Sequence, residues 1–340
     1  MKILIYTPVF YPHIGGVETI TKIIAEQLSE NGNDVVVITP TPNTNKEIIQ
    51  KYTIIRDTKF KTLWKYYKWC DIFIHSVLSL KAIWPILSFK NKKWIAIHHT
   101  CYFYPWDKRK NLNSMIKQYL TRFSNNIAVS EAVGKNLHLK HYTVIKNAYN
   151  NSIFKCNNTS TRRNFIYVGR LVTEKGVNLL IKAFYNYTQK SKERYSLTIV
   201  GDGPEKKHLL NIVHKYNLED LIQFKGALCG ESLVNELNKY KCIIIPSAYK
   251  EAFGIVALEG IACGCYCIAS DGDGLQETIG DIGLLFQKGS IEDLTQKMLM
   301  IDTIQWNPKE KENTISKHLS QFTIEYVGNQ YVKYINQLIK

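Results

Sequence analysis

Three short segments of the chain combine glycines, cations or carboxylates in a pattern that suits an anionic ligand. The first, Gly15-Gly16-Val17-Glu18, follows a predicted strand and opens a predicted helix. The backbone N–H groups and the dipole of such a helix start can meet a phosphate. Two glycines also suit an ordinary tight turn, so this segment alone leaves phosphate binding and a turn as equal alternatives.

The second segment runs from Gly169 to Gly176 and carries two cations five residues apart, Arg170 and Lys175. It joins a predicted strand to a predicted helix. Arginine can grip a phosphate with two parallel hydrogen bonds, and lysine adds a point charge. A solvated helix start accounts for one such cation better than for both, so the pair favours a diphosphate site.

The third segment, Pro246 to Gly260, is the most informative of the three. Glu251 precedes a predicted helix and Glu259 lies eight residues later, inside it. Phe253 and Gly254 stand at the helix start, where glycine allows close approach of the backbone and free amides face the ligand. This arrangement predicts a site for an anionic or hydroxyl-rich ligand.

The elements around these segments alternate strand and helix. Apolar runs at residues 2–7, 34–39, 71–75 and 93–98 are typical of parallel strands separated by helices, and the pattern restarts after a polar stretch at 150–164. We therefore predict two doubly wound α/β domains, residues 1–155 and 156–315, facing each other across a cleft. Residues 316–340 are predicted to form terminal helices that pack back toward the first domain.

Charge and composition limit the classes of partner. The net charge is +15, and residues 1–150 hold most of it, with 21 Lys and Arg against 9 Asp and Glu. Such a field attracts nucleic acid, an anionic membrane or phosphorylated ligands. We see no apolar run of about 20 residues and no signal sequence, which predicts a cytoplasmic or peripheral protein. The eight cysteines are scattered, and the alternation at 263–267 suits a buried strand.

Taken in order, these motifs resemble glycosyltransferase family 4. The resemblance includes Ile145-Lys146-Asn147 and Val200-Gly201-Asp202-Gly203-Pro204 and extends from residue 1 to about 295. It implies the GT-B fold, with two Rossmann-like domains, and retaining transfer from a nucleotide-sugar. Members that assemble bacterial lipopolysaccharide and other surface polysaccharides share this pattern.

The resemblance also implies roles for individual residues. Arg170 and Lys175 would bind the donor diphosphate, with Gly15 and Gly16 reaching it from the opposite domain. Glu259 would bind the ribose, and Glu251 would hold the transferred sugar together with the amides of Phe253 and Gly254. A histidine near the sugar would be His98 or its neighbour His99, each of which also suits a structural role at a strand end. Two further candidates lie within the matching motifs: Asn147 and Gly201.

No metal or other cofactor is expected, because the family offsets the charge of the leaving diphosphate with cations and helix dipoles. The triplet Asp271-Gly272-Asp273 mimics a metal-binding motif of another transferase fold, and we interpret it as a turn. Retaining transfer in this fold is described as attack on the front face, in which the leaving phosphate takes the proton of the acceptor. No general base is then required.

The expected partners are a nucleotide-sugar, an oligosaccharide or lipid-linked acceptor, and the anionic inner face of the cell membrane. A UDP-hexose or UDP-N-acetylhexosamine is the first choice of donor and GDP-mannose the second. The interleaved basic and aromatic residues at 59–69 suit a membrane surface, and they suit a solvated face with aromatic core contacts equally well. Acceptor, linkage and oligomeric state are left open by the sequence.

Two other classes fit less well. A nucleic-acid-binding protein would also be basic, but we find no module signature and the charge avoids the second half. An NAD-linked enzyme needs Gly-x-Gly-x-x-Gly after a strand, and the segment that begins at Gly201 lacks the third glycine. A phosphorylase or an epimerase of the same fold would differ by transferring sugar to phosphate or by forming an epimer without acceptor.

Overall fold

A computed structural model describes residues 1–13, 15–42, 51–88, 92–100, 112–157, 162–307 and 309–339. The chain divides into two compact units. The first unit contains Met1–Ala148 and Ile324–Lys340, and the second contains Tyr149–Thr323.

The first unit is built on a seven-stranded parallel sheet with the order β3-β2-β1-β4-β5-β6-β7. Its strands are β1 Lys2–Tyr6, β2 Asp34–Ile38, β3 Thr53–Ile55, β4 Ile72–His75, β5 Lys93–His98, β6 Asn125–Ala128 and β7 Thr143–Val144. Its first five helices are α1 Gly16–Glu30, α2 Phe60–Trp69, α3 Trp84–Ser88, α4 Leu112–Leu120 and α5 Glu131–Asn136. Parallel neighbours need a crossover between them, and the helices supply it.

One face of this sheet is covered by α2, α3 and α4. Leu63 and Tyr67 of α2 and Leu120 of α4 belong to one apolar cluster with Leu4 of β1 and Phe73 of β4. Successive residues of a strand point to opposite faces, so Ile3 and Ile5 point away from this cluster. Both faces of β1 are buried, which explains why its sequence is an unbroken apolar run.

The second unit repeats the architecture with a six-stranded parallel sheet in the order β10-β9-β8-β11-β12-β13. Its strands are β8 Arg163–Val168, β9 Leu197–Val200, β10 Ile222–Gly226, β11 Tyr240–Ile245, β12 Tyr266–Ser270 and β13 Gly283–Phe286. Its helices are α6 Val177–Lys190, α7 Lys206–Lys215, α8 Gly230–Leu237, α9 Ile255–Ala262, α10 Asp273–Ile279, α11 Ile291–Thr303 and α12 Glu312–Leu319. The core includes an edge-to-face pair, Phe165 and Tyr187, with ring centroids 5.2 Å apart.

The cysteines of the 263–267 run are packing residues. Cys263, Cys265 and Cys267 are all fully buried, and burial raises the pKa of each thiol. A buried thiol that stays protonated is a poor nucleophile and a poor metal ligand. The structural role expected from the sequence therefore agrees with their surroundings.

The last helix, α13 Ile324–Ile339, belongs to the first unit. Its Gly328 lies against Gln27 of α1, since a Cβ built on this glycine would be 2.4 Å from the Gln27 Cγ. Residues 316–323 remain with the second unit, and the units divide at 148 rather than at 155. The physical reason is local, because Tyr149 N–H donates to the Phe322 carbonyl at 3.0 Å and Phe322 packs on Phe253.

The predicted architecture of two Rossmann-like α/β domains is confirmed. In each sheet the strand order reverses once, between β1 and β4 in the first unit and between β8 and β11 in the second. Ligands of such sheets bind beyond the carboxyl ends of the strands at this point of reversal. In the second unit, the loops that follow β8 and β11 are those that carry Arg170, Lys175 and Glu251.

One glycine shows how closely these loops pack. Gly201 follows β9 with φ +145°, and a Cβ at this position would lie 1.8 Å from the Gly169 carbonyl oxygen. We expect Gly201→Ala to destabilise the second unit by more than about 3 kcal/mol, because backbone rather than a flexible side chain must move. Gly289→Ala is the matched control: its φ is +81° and no atom of the described residues lies within 4 Å of the added Cβ, so backbone strain of about 1–2 kcal/mol is its expected cost.

Thermal unfolding of both variants measures this difference. Similar melting temperatures for Gly201→Ala and Gly289→Ala would show that the loops after β8 and β9 are not in tight contact.

Candidate active site

In the second unit, an ion pair joins the segment 169–176, which carries two cations, to the segment 246–260, which carries two carboxylates. Nζ of Lys175 lies 2.5 Å from Oε2 of Glu251, and the buried hydroxyl of Ser247 donates to the same oxygen at 2.9 Å. Lys175 ends a single 3-10 turn, Thr173–Lys175, that leads into α6. The two charged groups are therefore held at the carboxyl edge of neighbouring strands.

Backbone hydrogen bonds fix the position of this pair. The amides of Ala248 and Tyr249 both donate to the carbonyl of Glu174, at 3.0 and 3.3 Å. On the other side, the amide of Gly274 donates to the carbonyl of Glu251 at 2.9 Å. The loop after β11 is thus attached to the loop after β8 and to the start of α10, and little ordering remains when a ligand arrives.

The start of α9 has the geometry expected for a backbone binding site. Gly254 is the N-cap, with φ +91°, and a Cβ there would meet the Leu275 side chain at 2.4 Å. The Phe253 ring is buried, and the hydroxyl of Thr278 donates to the Phe253 carbonyl at 2.6 Å. The Phe253 side chain therefore belongs to the core, which leaves the backbone of this segment for a ligand.

Glu259 is a carboxyl group without a protein partner. It lies one turn inside α9, and burial raises its pKa to about 7. Within the described ranges of the chain, no hydrogen bond or ion pair to its carboxylate is found. A partly buried carboxylate that gains no donor from the described protein is ready to accept hydrogen bonds from the hydroxyl groups of a ligand.

Arg170 keeps its charge exposed to solvent. Its carbonyl accepts a hydrogen bond from the hydroxyl of Tyr167 at 3.0 Å, which fixes the backbone. Burial raises the pKa of Tyr167, the nearby Glu251 raises it further, and Arg170 acts in the opposite direction. Arg170 and Glu251 therefore both reach the same tyrosine, and Arg170 forms no ion pair with any residue in the described part of the chain.

His98, in the first unit, is buried at the end of β5. Its Nε2 lies 2.9 Å from Oδ1 of Asn126, whose Nδ2 donates to the carbonyl of Thr121 at 2.8 Å. This orientation of the amide makes Nε2 of His98 the donor. Burial lowers the pKa of His98 to about 4, so the ring is neutral near pH 7 and holds one tautomer.

His99, the neighbouring histidine, follows the strand and is half-buried. Burial, with His98 as a second cause, lowers its pKa to about 4, and the adjacent Asn147 acts in the opposite direction. Nε2 of His99 and Oδ1 of Asn147 are both buried, and within the described residues neither atom has a hydrogen bond of normal geometry. The two side chains are close enough to influence each other, and both His98 and His99 stay candidates for contact with a ligand.

The glycine pair predicted to face the diphosphate lies in the first unit, at the start of α1. Gly15 is the N-cap in an extended conformation, and a Cβ on it would lie 2.5 Å from Oε2 of Glu18. The Glu18 carboxylate therefore rests against this backbone at the positive end of the helix dipole. Gly16 begins the helix, and both glycines belong to a different unit from Arg170 and Lys175.

The acidic triplet that resembles a metal motif is engaged with a lysine. Lys288 N–H donates to Oδ1 of Asp271 at 2.7 Å, and its side chain forms an ion pair with Asp273. In the part of the chain that the structure describes, no group of three or more His, Cys, Asp or Glu is placed to hold a metal ion. Metal independence stays a prediction.

A pocket at the carboxyl edge of the first sheet was not predicted from the sequence. Its volume is about 650 Å³. It is lined by Tyr6, Pro8, Pro40, Thr58, Val77, Leu78, Ser79, Leu80, Lys81, Asn113, Ser114 and Lys117. These residues come from five separated segments with no shared motif, so only the position after strand ends could have indicated them.

Two family profiles match the chain along most of its length. The profile described as Glycosyltransferase Family 4 matches residues 14–151, and the profile described as Glycosyl transferases group 1 matches residues 149–317. The chain is a family 4-like glycosyltransferase. It is therefore a transferase enzyme, and the sequence resemblance is confirmed.

Relatives and solved structures agree with this assignment. The gpi3 subunit of phosphatidylinositol N-acetylglucosaminyltransferase from Schizosaccharomyces pombe is 24% identical, over 92% of this chain and 75% of its own. N-acetyl-alpha-D-glucosaminyl L-malate synthase from Bacillus anthracis is 29% identical, over 49% of this chain and 43% of its own. Sucrose-phosphate synthase from Thermosynechococcus elongatus has a TM-score of 0.82 at 20% identity, covering 99% and 98% of the two chains.

Another solved structure, that of Anabaena HepE in complex with UDP and glucose, has a TM-score of 0.80 at 18% identity. The superposition covers 99% of this chain and 99% of that one. These likenesses establish the GT-B fold. In the described residues of this protein, no helix combines the length and the hydropathy that a membrane span requires.

The ion pair generates the first prediction for this site. Glu251→Gln keeps the size of the side chain and removes the charge that pairs with Lys175. We expect release of nucleoside diphosphate from the donor to slow by about 10²–10³-fold, the usual cost of losing one preorganised electrostatic contact. Donor affinity should stay within a few fold.

Glu231→Gln, an exposed carboxylate on α8, is the control and should leave the rate unchanged. A normal rate in Glu251→Gln would remove this residue from the reaction.

Glu259 gives a prediction about pH. Its pKa is about 7 in the folded protein and ordinarily 4.5, so the folded state binds more protons between these values and stability falls as pH rises through them. Without ligand, Glu259→Gln should therefore stabilise the protein at pH 8, by up to about 3 kcal/mol, and hardly at all at pH 4.5. Melting curves of variant and parent at several pH values test this, and an equal difference at all pH values would contradict it.

Proposed function

We propose that this enzyme is a retaining glycosyltransferase that moves a hexose or N-acetylhexosamine from a UDP-sugar to a lipid-linked glycan acceptor. Its place would be the inner face of the cell membrane, in the assembly of a surface polysaccharide. The observation that carries the proposal is the Lys175–Glu251 pair, with Arg170 unpaired beside it, at the carboxyl edge of β8 and β11. The remaining contacts support the individual steps.

Donor binding exchanges partners at the ion pair. The diphosphate would attract Arg170 and Lys175, and Lys175 would move its hydrogen bond from Glu251 to a phosphate oxygen. Ser247 and the amide of Gly274 keep Glu251 in place during this exchange, since both contacts are independent of Lys175. The carboxylate of Glu251 is then free to accept a hydrogen bond from a sugar hydroxyl.

The ribose would bind at Glu259. A ribose offers two neighbouring hydroxyl donors, and a carboxylate can accept both. The raised pKa of this carboxyl group indicates that it lost hydration on folding. The ribose hydroxyls would replace that hydration with hydrogen bonds. The amides at Phe253 and Gly254 add donors toward the sugar side of the same helix start.

Transfer then breaks the bond between the anomeric carbon and the phosphate oxygen, and the acceptor oxygen bonds to that carbon on the same face. The acceptor's proton passes to the departing phosphate oxygen. Arg170 and Lys175 stabilise the negative charge that grows on the diphosphate, and Glu251 stabilises the positive charge on the sugar ring. No residue is required to act as a base, and no metal ion is invoked.

The histidine near the sugar, His98 or His99, would act as a neutral hydrogen-bonding group. Both have a pKa of about 4, so neither is an imidazolium that could act as a general acid near pH 7. Nε2 of His99 and Oδ1 of Asn147, for which the described residues provide no hydrogen bond of normal geometry, suit contact with a sugar hydroxyl.

The choice of UDP over GDP is supported by similarity. The solved structures that this chain resembles include one that holds UDP and glucose, and two relatives are named for N-acetylglucosamine chemistry. A lipid-linked acceptor is supported by the first of those relatives, whose name includes phosphatidylinositol, and by the positive charge of the first 150 residues.

Nucleotide binding without metal tests this proposal. With a chelator present, UDP should raise the melting temperature more than GDP, ADP, NAD or a short oligonucleotide does, because a ligand stabilises the state that binds it. Arg170→Ala should weaken UDP binding by about 1.5–3 kcal/mol, the range for a charged hydrogen bond. Arg194→Ala, which removes another exposed arginine of the same unit, is the control.

Stabilisation by GDP alone would change the donor to a GDP-sugar. Stabilisation by NAD or an oligonucleotide alone would overturn the proposed function, and equal UDP affinity in Arg170→Ala and Arg194→Ala would remove Arg170 from the site.

A further inference from the structure

Helix α4 exposes most of its apolar residues. Five large apolar side chains on α4 and the turn after it are 38% to 67% exposed: Leu112, Met115, Ile116, Tyr119 and Phe123. They recur at intervals of three and four residues, so they form one stripe along the helix. Ser114, on the opposite side, is buried, and Leu120 is the one apolar residue of α4 that packs into the core. A helix that packs on its own core ordinarily buries most of its large apolar side chains.

The exposed stripe has aromatic and basic neighbours on the same side of the sheet. Helices α2 and α3 cover the same side of the sheet as α4, and the exposed Phe60 of α2 stacks on Trp84 of α3 with ring centroids 4.0 Å apart. Leu87 of α3 is 66% exposed. The charges here are all positive, since residues 59–69 contain four lysines and residues 112–123 contain Lys117 and Arg122, with no Asp or Glu in either stretch.

The two units differ in the number of large apolar side chains that they expose. Seven large apolar side chains of α2, α3, α4 and the turn after α4 are exposed, whereas the described residues of the second unit expose two, Leu210 and Met300. A contiguous apolar stripe on a soluble surface marks a place of contact with another body.

We propose that the stripe Leu112–Phe123 is a docking surface for an anionic lipid bilayer. Apolar side chains at the acyl boundary and lysines or arginines at the headgroup level are the two components of such a surface. A second copy of this chain is a poorer occupant, because the cations of α2 and Arg122 would be brought toward their own equivalents.

Helix α4 also connects this surface to the pocket of the first unit. Its other side, Asn113, Ser114 and Lys117, lines that pocket. Lys117 is half-buried, and burial lowers its pKa. An acceptor anchored in the bilayer would therefore lie within the width of one helix, about 10 Å, of the pocket. This step rests on the proposed function, whereas docking on the bilayer does not.

Vesicle binding tests the inference without donor or acceptor. The probes are vesicles of phosphatidylcholine alone and of phosphatidylcholine with roughly a third phosphatidylglycerol, a mixture that imitates an anionic leaflet. The protein should float with the anionic vesicles, and added salt should weaken its binding. Met115→Gln/Tyr119→Gln should reduce partitioning by about tenfold or more, because the two lost apolar insertions together are worth at least that much.

A matched control comes from the second unit. Leu210→Gln/Met300→Gln removes two apolar side chains that are 45% and 43% exposed, similar to the 48% and 57% of Met115 and Tyr119. Its partitioning should stay within about twofold of the parent. UDP stabilisation and the melting temperature of both double variants verify folding, and Leu112→Gln repeats the test should Met115→Gln/Tyr119→Gln unfold.

Three outcomes would overturn the inference. In the first, the parent protein fails to bind anionic vesicles, and in the second, the variants of the stripe bind them as well as the parent does. In the third outcome, the parent is a dimer that Met115→Gln/Tyr119→Gln separates into monomers. Failure of UDP binding with intact vesicle binding would instead reject the proposed function and leave the docking surface in place.

Discussion

The ion pair between Lys175 and Glu251 is the contact on which the organisation of the second unit's site depends. It joins the loops after β8 and β11, which flank the point where the strand order reverses. Backbone hydrogen bonds from Ala248 to Glu174 and from Gly274 to Glu251 hold the same loops. Because the frame does not rely on the charges alone, the pair can open for a diphosphate while the loops keep their shape. The site is thus preorganised, and its electrostatics are the part that changes on binding.

Burial sets protonation states in each unit separately. In the first unit, both histidines at the end of β5 are kept neutral, since their pKa values fall to about 4. In the second unit, the pKa of Glu259 rises to about 7. Desolvation disfavours the charged form in each case, so the same physical cause shifts an acid and a base in opposite directions.

The family profiles indicate the fold and the reaction class, whereas the surface of the first unit concerns what the enzyme contacts. The fold and the transferase class follow from two family profiles that together span residues 14–317. Where the enzyme works is a matter of surface chemistry, and here α4 is unusual because it buries Ser114 and exposes Leu112 and Tyr119. The basic and aromatic segment at 59–69 has the core contacts and solvated face that were one of the two interpretations of it, and a role at a membrane surface stays a prediction. Leu63 and Tyr67 are core residues, and the four lysines remain in solvent.

The sequence by itself determined the alternation of strands and helices, the two α/β domains and the family. Those follow from local periodicity and from glycines and charges at fixed spacing, as at Gly169–Gly176 and Pro246–Gly260. Tertiary structure decided which of these groups meet. Lys175 and Glu251 are 76 residues apart and pair only because β8 and β11 are neighbours. The same holds for the pKa of Glu259, for the buried nitrogen of His99 and for the exposed side of α4, because burial depends on what packs from elsewhere in the chain.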